Sequence, residues 1–184
     1  CRGSTDTVKM GDPSRAVTKA GVCWYPSIHD ITRAIEEGCD LLITHEPLFW
    51  DHLDRQDGPH RKTEPGLLRR KVIEDAGLVV LRAHDTWDQW PGIGIRDSWA
   101  AGLELGKTVH TSQGHNYHAI YTIPPQPLRT FAQHVAKKVA PLGEDSVQVI
   151  GDPERVVSRP ALGVGCIGPD QDILRAGADV IIVT

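Results

Sequence analysis

The chain has 184 residues, 40% of them hydrophobic and 24% charged, with a formal net charge of −4. This composition is globular and argues against disorder, and the length suits one compact domain or two small lobes sharing a core. No basic run or stripe is present, which argues against nucleic-acid binding through phosphate contacts. No apolar stretch approaches the ~20 residues needed to span a bilayer.

Residues 1–15 are polar and read as loop. The chain begins at Cys1 without an initiator Met, so an upstream stretch is expected to be missing, through cropping or through processing to a lipid-modified Cys; no signal segment supports the latter. Residues 16–24 form a short mixed run with strand character, marked by Val17 and Val22. Ser27 offers an N-cap with Asp30 three residues on, Ile28, Ile31 and Ile35 follow at helical spacing, and Gly38 stops that helix. Leu41 to Thr44 is a buried strand, and 46–65 is a long polar loop, a length more often functional than idle. Pro65 suits a first helical turn, Leu68, Val72, Ile73 and Ala76 give the next helix its apolar face, and Gly77 ends it. Leu78 to Leu81 is a second buried strand. A strand–helix–strand crossover of this length implies parallel pairing.

A short helix is expected over Asp97 to Leu105, between glycines. From residue 116 the pattern restarts. Strands are expected at 119–123, 147–150, 161–164 and 179–184. Leu128, Phe131, Ala132, Val135 and Val139 mark an amphipathic helix, and Ile173 to Ala176 lies in another. The segment 34–44 resembles 173–184: helix end, Gly, small residue, Asp, apolar strand, Thr. This is either a repeat or the ordinary look of an αβ unit.

Both early strands stop abruptly on His and carboxylate residues. The first delivers His45, Glu46, Asp51, His52 and Asp54, the second His84, Asp85 and Asp88. Ligands in α/β proteins bind beyond the carboxyl ends of strands, so two such ends side by side suggest one shared, metal-dependent site. The four Cys (Cys1, Cys23, Cys39, Cys166) show no Cys-x-x-Cys spacing, which argues against structural zinc and for reduced thiols in a cytoplasmic protein. No phosphate loop or dinucleotide fingerprint is present.

These residues resemble the Ngg1-interacting-factor-three-like family, whose bacterial members are also labelled GTP cyclohydrolase I type 2 homologues. The resemblance rests on Gly38-Cys39-Asp40, the strand, and His45-Glu46-Pro47 where the family carries His-His-Pro; on the second motif His84-Asp85-Thr86-Trp87-Asp88; and on Gly151-Asp152-Pro153, the run 163–168 and Gly177-Ala178-Asp179. It implies an α/β fold of two related lobes with mixed or parallel sheets flanked by helices, read here as 1–115 and 116–184, the second incomplete at its C-terminus. It implies a homohexamer around a pair of divalent metal ions, with His45 and Asp88 as ligands. Many members have a ligating His where this chain has Glu46, and an oxygen ligand there would shift preference from zinc toward manganese, magnesium or iron.

Glu46 is open as metal ligand, general base or structural partner. His84 is read as orienting the ligands from behind, Asp85 as doing the same or capping a helix, and His52 and Asp54 as site lining or solvated loop. His110, His115 and His118 are expected at the surface, and Trp50, Trp87 and Trp90 as packed walls. The function expected is metal-dependent hydrolysis of a nucleotide-like or phosphoester small molecule. The alternative is a non-catalytic, oligomeric metal-binding regulator or scaffold.

Overall fold

The apolar run at 41–44 is the heart of the first sheet. The computed structural model describes residues 4–112, 114–144, 146–165 and 171–183. Cys1, Cys166, the far end of the 163–168 run and Thr184 lie outside the described residues. Strands β1 (Val8–Met10), β2 (Ala20–Cys23), β3 (Leu41–Thr44) and β4 (Val79–Arg82) form one sheet in the order β1-β4-β3-β2. β2, β3 and β4 are parallel, and β1 runs antiparallel along β4. The expected crossover is therefore present, and its register pairs Leu41 with Val79 and Thr44 with Arg82. The two ligand-bearing strand ends are level.

Helix α1 (Ile28–Glu36) starts where Ser27 Oγ accepts the Asp30 N–H at 3.2 Å. A cap of this kind contributes about 1 kcal/mol. Helix α2 (Glu64–Ala76) is capped by Thr63, carries Pro65 in its first turn and stops at Gly77, which adopts φ +62°. Ile31, Leu42, Leu48, Phe49, Ile73 and Val80 pack together as the core of this unit. Leu68, expected on the apolar face of α2, is 52% exposed. β1 forms where the sequence reads as loop. It is followed by Gly11 at φ +88°, where a Cβ would stand 2.6 Å from the Leu78 carbonyl oxygen.

The chain divides into two compact units, 1–86 and 87–184. The division falls inside the short helix α3 (Asp85–Gln89), so the restart of the pattern at 116 lies within the second unit. That unit contains α4 (Ile95–Gly102), β5 (Thr108–Thr111), β6 (His118–Tyr121), β7 (Gln126–Pro127), α5 (Leu128–Val139), β8 (Val156–Val157), β9 (Pro160–Gly163), α6 (Gln171–Arg175) and β10 (Val180–Ile182). Its main sheet runs β10-β9-β6-β5, with β10 parallel to β9 and the other pairs antiparallel, while β7 and β8 pair separately. The strand expected at 147–150 does not form; Ile150 is 88% exposed and the segment has no ladder partner among the described residues. None of the described helices is long and apolar enough to cross a membrane.

The echo between the two halves is structural and longer than the strands alone suggest. Asp40 accepts from Thr18 N–H and Oγ1 and from Lys19 N–H; Asp179 accepts from Ser158 N–H and Oγ and from Arg159 N–H. Lys19 reaches the Glu37 carbonyl, and Arg159 reaches those of Ala176 and Gly177. Upstream, Gly11-Asp12-Pro13 and Gly151-Asp152-Pro153 make the same turn, each Asp side chain accepting the N–H two residues on, from Ser14 or Glu154. β2 beside β3 and β9 beside β10 are thus two copies of one parallel unit.

Candidate metal centre

His45 follows β3 directly and His84 follows β4 by two residues, so the level ends of the ladder bring their rings together. Asp88 lies four residues past His84, within α3. One helical turn returns a side chain to the same face, so its place beside His84 is set locally. One ligand atom from each of His45, His84 and Asp88 lies within 4.8 Å of the other two. His45 and Asp88 are buried, and His84 is half-buried. His84 was expected only to support the ligands; the structure makes it one of the three converging groups.

The rings form a stack. Trp24 lies over His45 at 3.9 Å between centroids, and His45 over His84 at 4.4 Å. His84 Nδ1 is 3.0 Å from Asp85 Oδ1. Asp85 also accepts the Thr5 N–H at 2.8 Å. Burial alone would push the Asp85 carboxyl up, but the Thr5 N–H, the His84 ring and Ser4 together hold it at about 2. An ionised carboxylate only accepts, so His84 Nδ1 donates to it, which fixes the orientation of the ring. Burial, followed by the neighbouring His84, lowers His45 to about 4, despite an opposing hydrogen bond with the Ala83 backbone. The His45 imidazole therefore suits the neutral state a metal requires. Two imidazole nitrogens and a carboxylate are a donor set for zinc, manganese or iron, and three protein ligands leave coordination positions open.

Buried charge holds this frame from behind. Arg82 is fully buried, its Nε donating to the His45 carbonyl at 2.9 Å and its Nη1 to the His52 carbonyl. Asp54, 3% exposed and at φ +49°, accepts the Leu48 N–H at 2.6 Å and the Phe49 N–H at 2.8 Å. Lys9, also buried, donates to the Leu53 carbonyl at 3.1 Å. Asp54 thus shapes the loop after His45 from inside it. The His52 ring, on an exposed residue, stands edge-on to His84 at 5.4 Å.

Glu46 is not part of the converging group among the described residues. Its N–H donates to the Trp24 carbonyl at 2.8 Å, and its own carbonyl accepts from Thr44 Oγ1 at 2.7 Å. Trp50, Trp87 and Trp90, expected as packed walls, are 68%, 42% and 49% exposed. His118, expected at the surface, is buried in β6, with His115 5.5 Å away ring to ring. His110 pairs with Asp172 at 3.0 Å.

Three contributors carry no motif in the sequence: Trp24, Arg82 and Asp6. Asp6 accepts the backbone N–H groups of His84, Asp85 and Thr86 at 2.7, 2.9 and 2.7 Å. Burial raises its carboxyl, but Thr86 and these N–H donors leave it below the usual carboxylate range.

Residues 7–184 match the family described as Duf34/NIF3 (NGG1p interacting factor 3), and the chain belongs to that family. It is 30% identical over 114 residues to a GTP cyclohydrolase 1 type 2 homolog of Deinococcus radiodurans, a match covering 60% of this chain and 41% of that protein. Its fold is that of a Staphylococcus aureus hypothetical protein, with TM-score 0.74 at 18% identity, covering 97% of this chain and 70% of that one. A Bacillus cereus protein related to NIF3 matches with TM-score 0.72 at 13% identity, covering 100% of this chain and 76% of that one.

Proposed function

We propose that His45, His84 and Asp88 hold a divalent metal ion, and that the protein is a metal-dependent hydrolase acting on a nucleotide-like or phosphoester small molecule. The observation that carries this reading is the convergence of the three ligand atoms within 4.8 Å at two level strand ends. A divalent ion bound there supplies Lewis acidity and lowers the pKa of a coordinated water toward ~7. The chain's own part is to present His45 neutral, to fix the His84 ring through Asp85, and to back the site with Arg82 and the core. We assign Glu46, next in the chain to His45, the role of accepting the proton of the attacking water. The Deinococcus relative's name, which mentions GTP, supports the nucleotide-like end of the substrate range.

A second metal ion beside the first and assembly into a hexamer are extensions of this proposal. The decisive experiment is hydrolysis of nucleotides and generic phosphoesters with added manganese, zinc or iron, compared between wild type, His45→Ala and Glu46→Gln. Metal-dependent turnover lost in both variants supports the hydrolase; metal binding without any turnover replaces it with the regulator or scaffold.

A further inference from the structure

We infer that Asp6 is the positioning residue of the metal centre: its carboxylate sets the turn that presents His84 and Asp88. The inference rests on the metal-binding reading above and adds a residue from a part of the chain that carries no ligand. Between the end of β4 at Arg82 and the first turn of α3 the chain must bend sharply, and the N–H groups opening a helix have no partner within it. Here three of them in succession, from His84, Asp85 and Thr86, converge on the one carboxylate of Asp6. The neighbouring Thr5 N–H donates to Asp85, the same residue that fixes the His84 ring. The Asp6 N–H is in turn held by Ser4 Oγ at 3.1 Å, and β1, two residues on, is zipped along β4.

The segment 4–10 therefore grips the ligand turn at its backbone through Asp6 and at its side chains through Thr5 and Asp85. Removing the Asp6 carboxylate leaves three N–H groups to find water. The backbone of His84 then loses its fixed direction, and the His84–Asp88 pair loses its common face. A residue acting this way changes metal affinity and coordination geometry without touching the ion.

The test uses the whole chain and cobalt(II), whose visible absorption reports coordination geometry, with manganese and zinc titrated by calorimetry. Asp6→Ala is expected to weaken metal binding by about tenfold to a hundredfold, the range for loss of an outer-shell partner. It is also expected to alter the cobalt spectrum and to speed hydrogen exchange at the amides of His84, Asp85 and Thr86. Asp6→Asn keeps one acceptor oxygen and should fall between; it also serves if Asp6→Ala does not fold. Asp12→Ala, a turn carboxylate at the far end of β1, should bind as wild type. If wild type binds cobalt and both Asp6 variants bind it with the same affinity and spectrum, the positioning role is overturned while the metal reading stands. If wild type takes up no cobalt, manganese or zinc, the metal reading falls and the inference falls with it.

Discussion

His45 and His84 face one another ring to ring at 4.4 Å because Thr44 and Arg82, the last residues of their strands, are partners in a parallel ladder. Two imidazoles this close repel if both are charged. Burial and this neighbour keep His45 neutral, and the outer partner of His84 matters as much as the ring itself.

The first prediction concerns that partner. Asp85→Asn leaves the size of the side chain but removes the acceptor-only carboxylate that forces His84 Nδ1 to donate. Metal affinity should drop by roughly tenfold or more, with the fold unchanged, as loss of a ligand's outer partner does elsewhere. Calorimetric titration with zinc or manganese at neutral pH checks it; an unchanged affinity would mean that the His84 tautomer is set by something else.

Acid should destabilise the metal-free protein through His45. Its folded pKa, about 4, lies below the ordinary imidazole value of 6.5. Between those values the unfolded chain takes up a proton that the folded chain does not. Stability is thus unaffected by this group above pH 6.5 and falls as the pH drops from 6.5 toward 4. Urea denaturation across that interval should show the loss, and His45→Gln should flatten part of it.

Asp54 is predicted to be a stability residue. Its carboxylate accepts the buried Leu48 and Phe49 N–H groups. Asp54→Ala strands both, at a cost of about 2–3 kcal/mol. Denaturant melts measure that cost directly. A variant as stable as wild type would place those N–H groups in contact with water instead.

The two copies of the repeat should answer alike. Asp40→Ala and Asp179→Ala each remove the carboxylate that joins paired strands, across Thr18–Lys19 in one unit and Ser158–Arg159 in the other. Both should lower the thermal midpoint. An effect confined to one would show that the shared geometry is not shared in energetic weight.

How much of this was legible follows from the physics of each element. The runs at 41–44 and 78–81 declare themselves because both strands lie inside the sheet and are mainly apolar. β1 does not, because its centre is Lys9, a charged residue whose burial is compensated by groups far along the chain, the Leu53 carbonyl and the Asp54 carboxylate among them. Val17 and Val22 marked the region of β2, yet both are exposed: Val17 precedes the strand, and Val22 lies on the face opposite the half-buried Gly21 and Cys23. His45 and Asp88 were readable from their place after a strand and from the family motif. The promotion of His84 depended on the turn geometry. Asp6 was unreadable, because its partners are backbone N–H groups 78 to 80 positions on, and backbone donors leave no trace in residue type. The paired Gly-Asp-Pro turns were in plain view, but only their matching hydrogen bonds tie them to the strand repeat.

The measurement that bears most directly on the central claim is metal content by elemental mass spectrometry, on protein purified without a metal-affinity tag and then reconstituted with manganese, iron or zinc. The account predicts about one or more divalent ions per chain, lost in His45→Ala and in Asp88→Ala. Wild-type protein that holds no ion after reconstitution, or variants that keep it, would contradict the account.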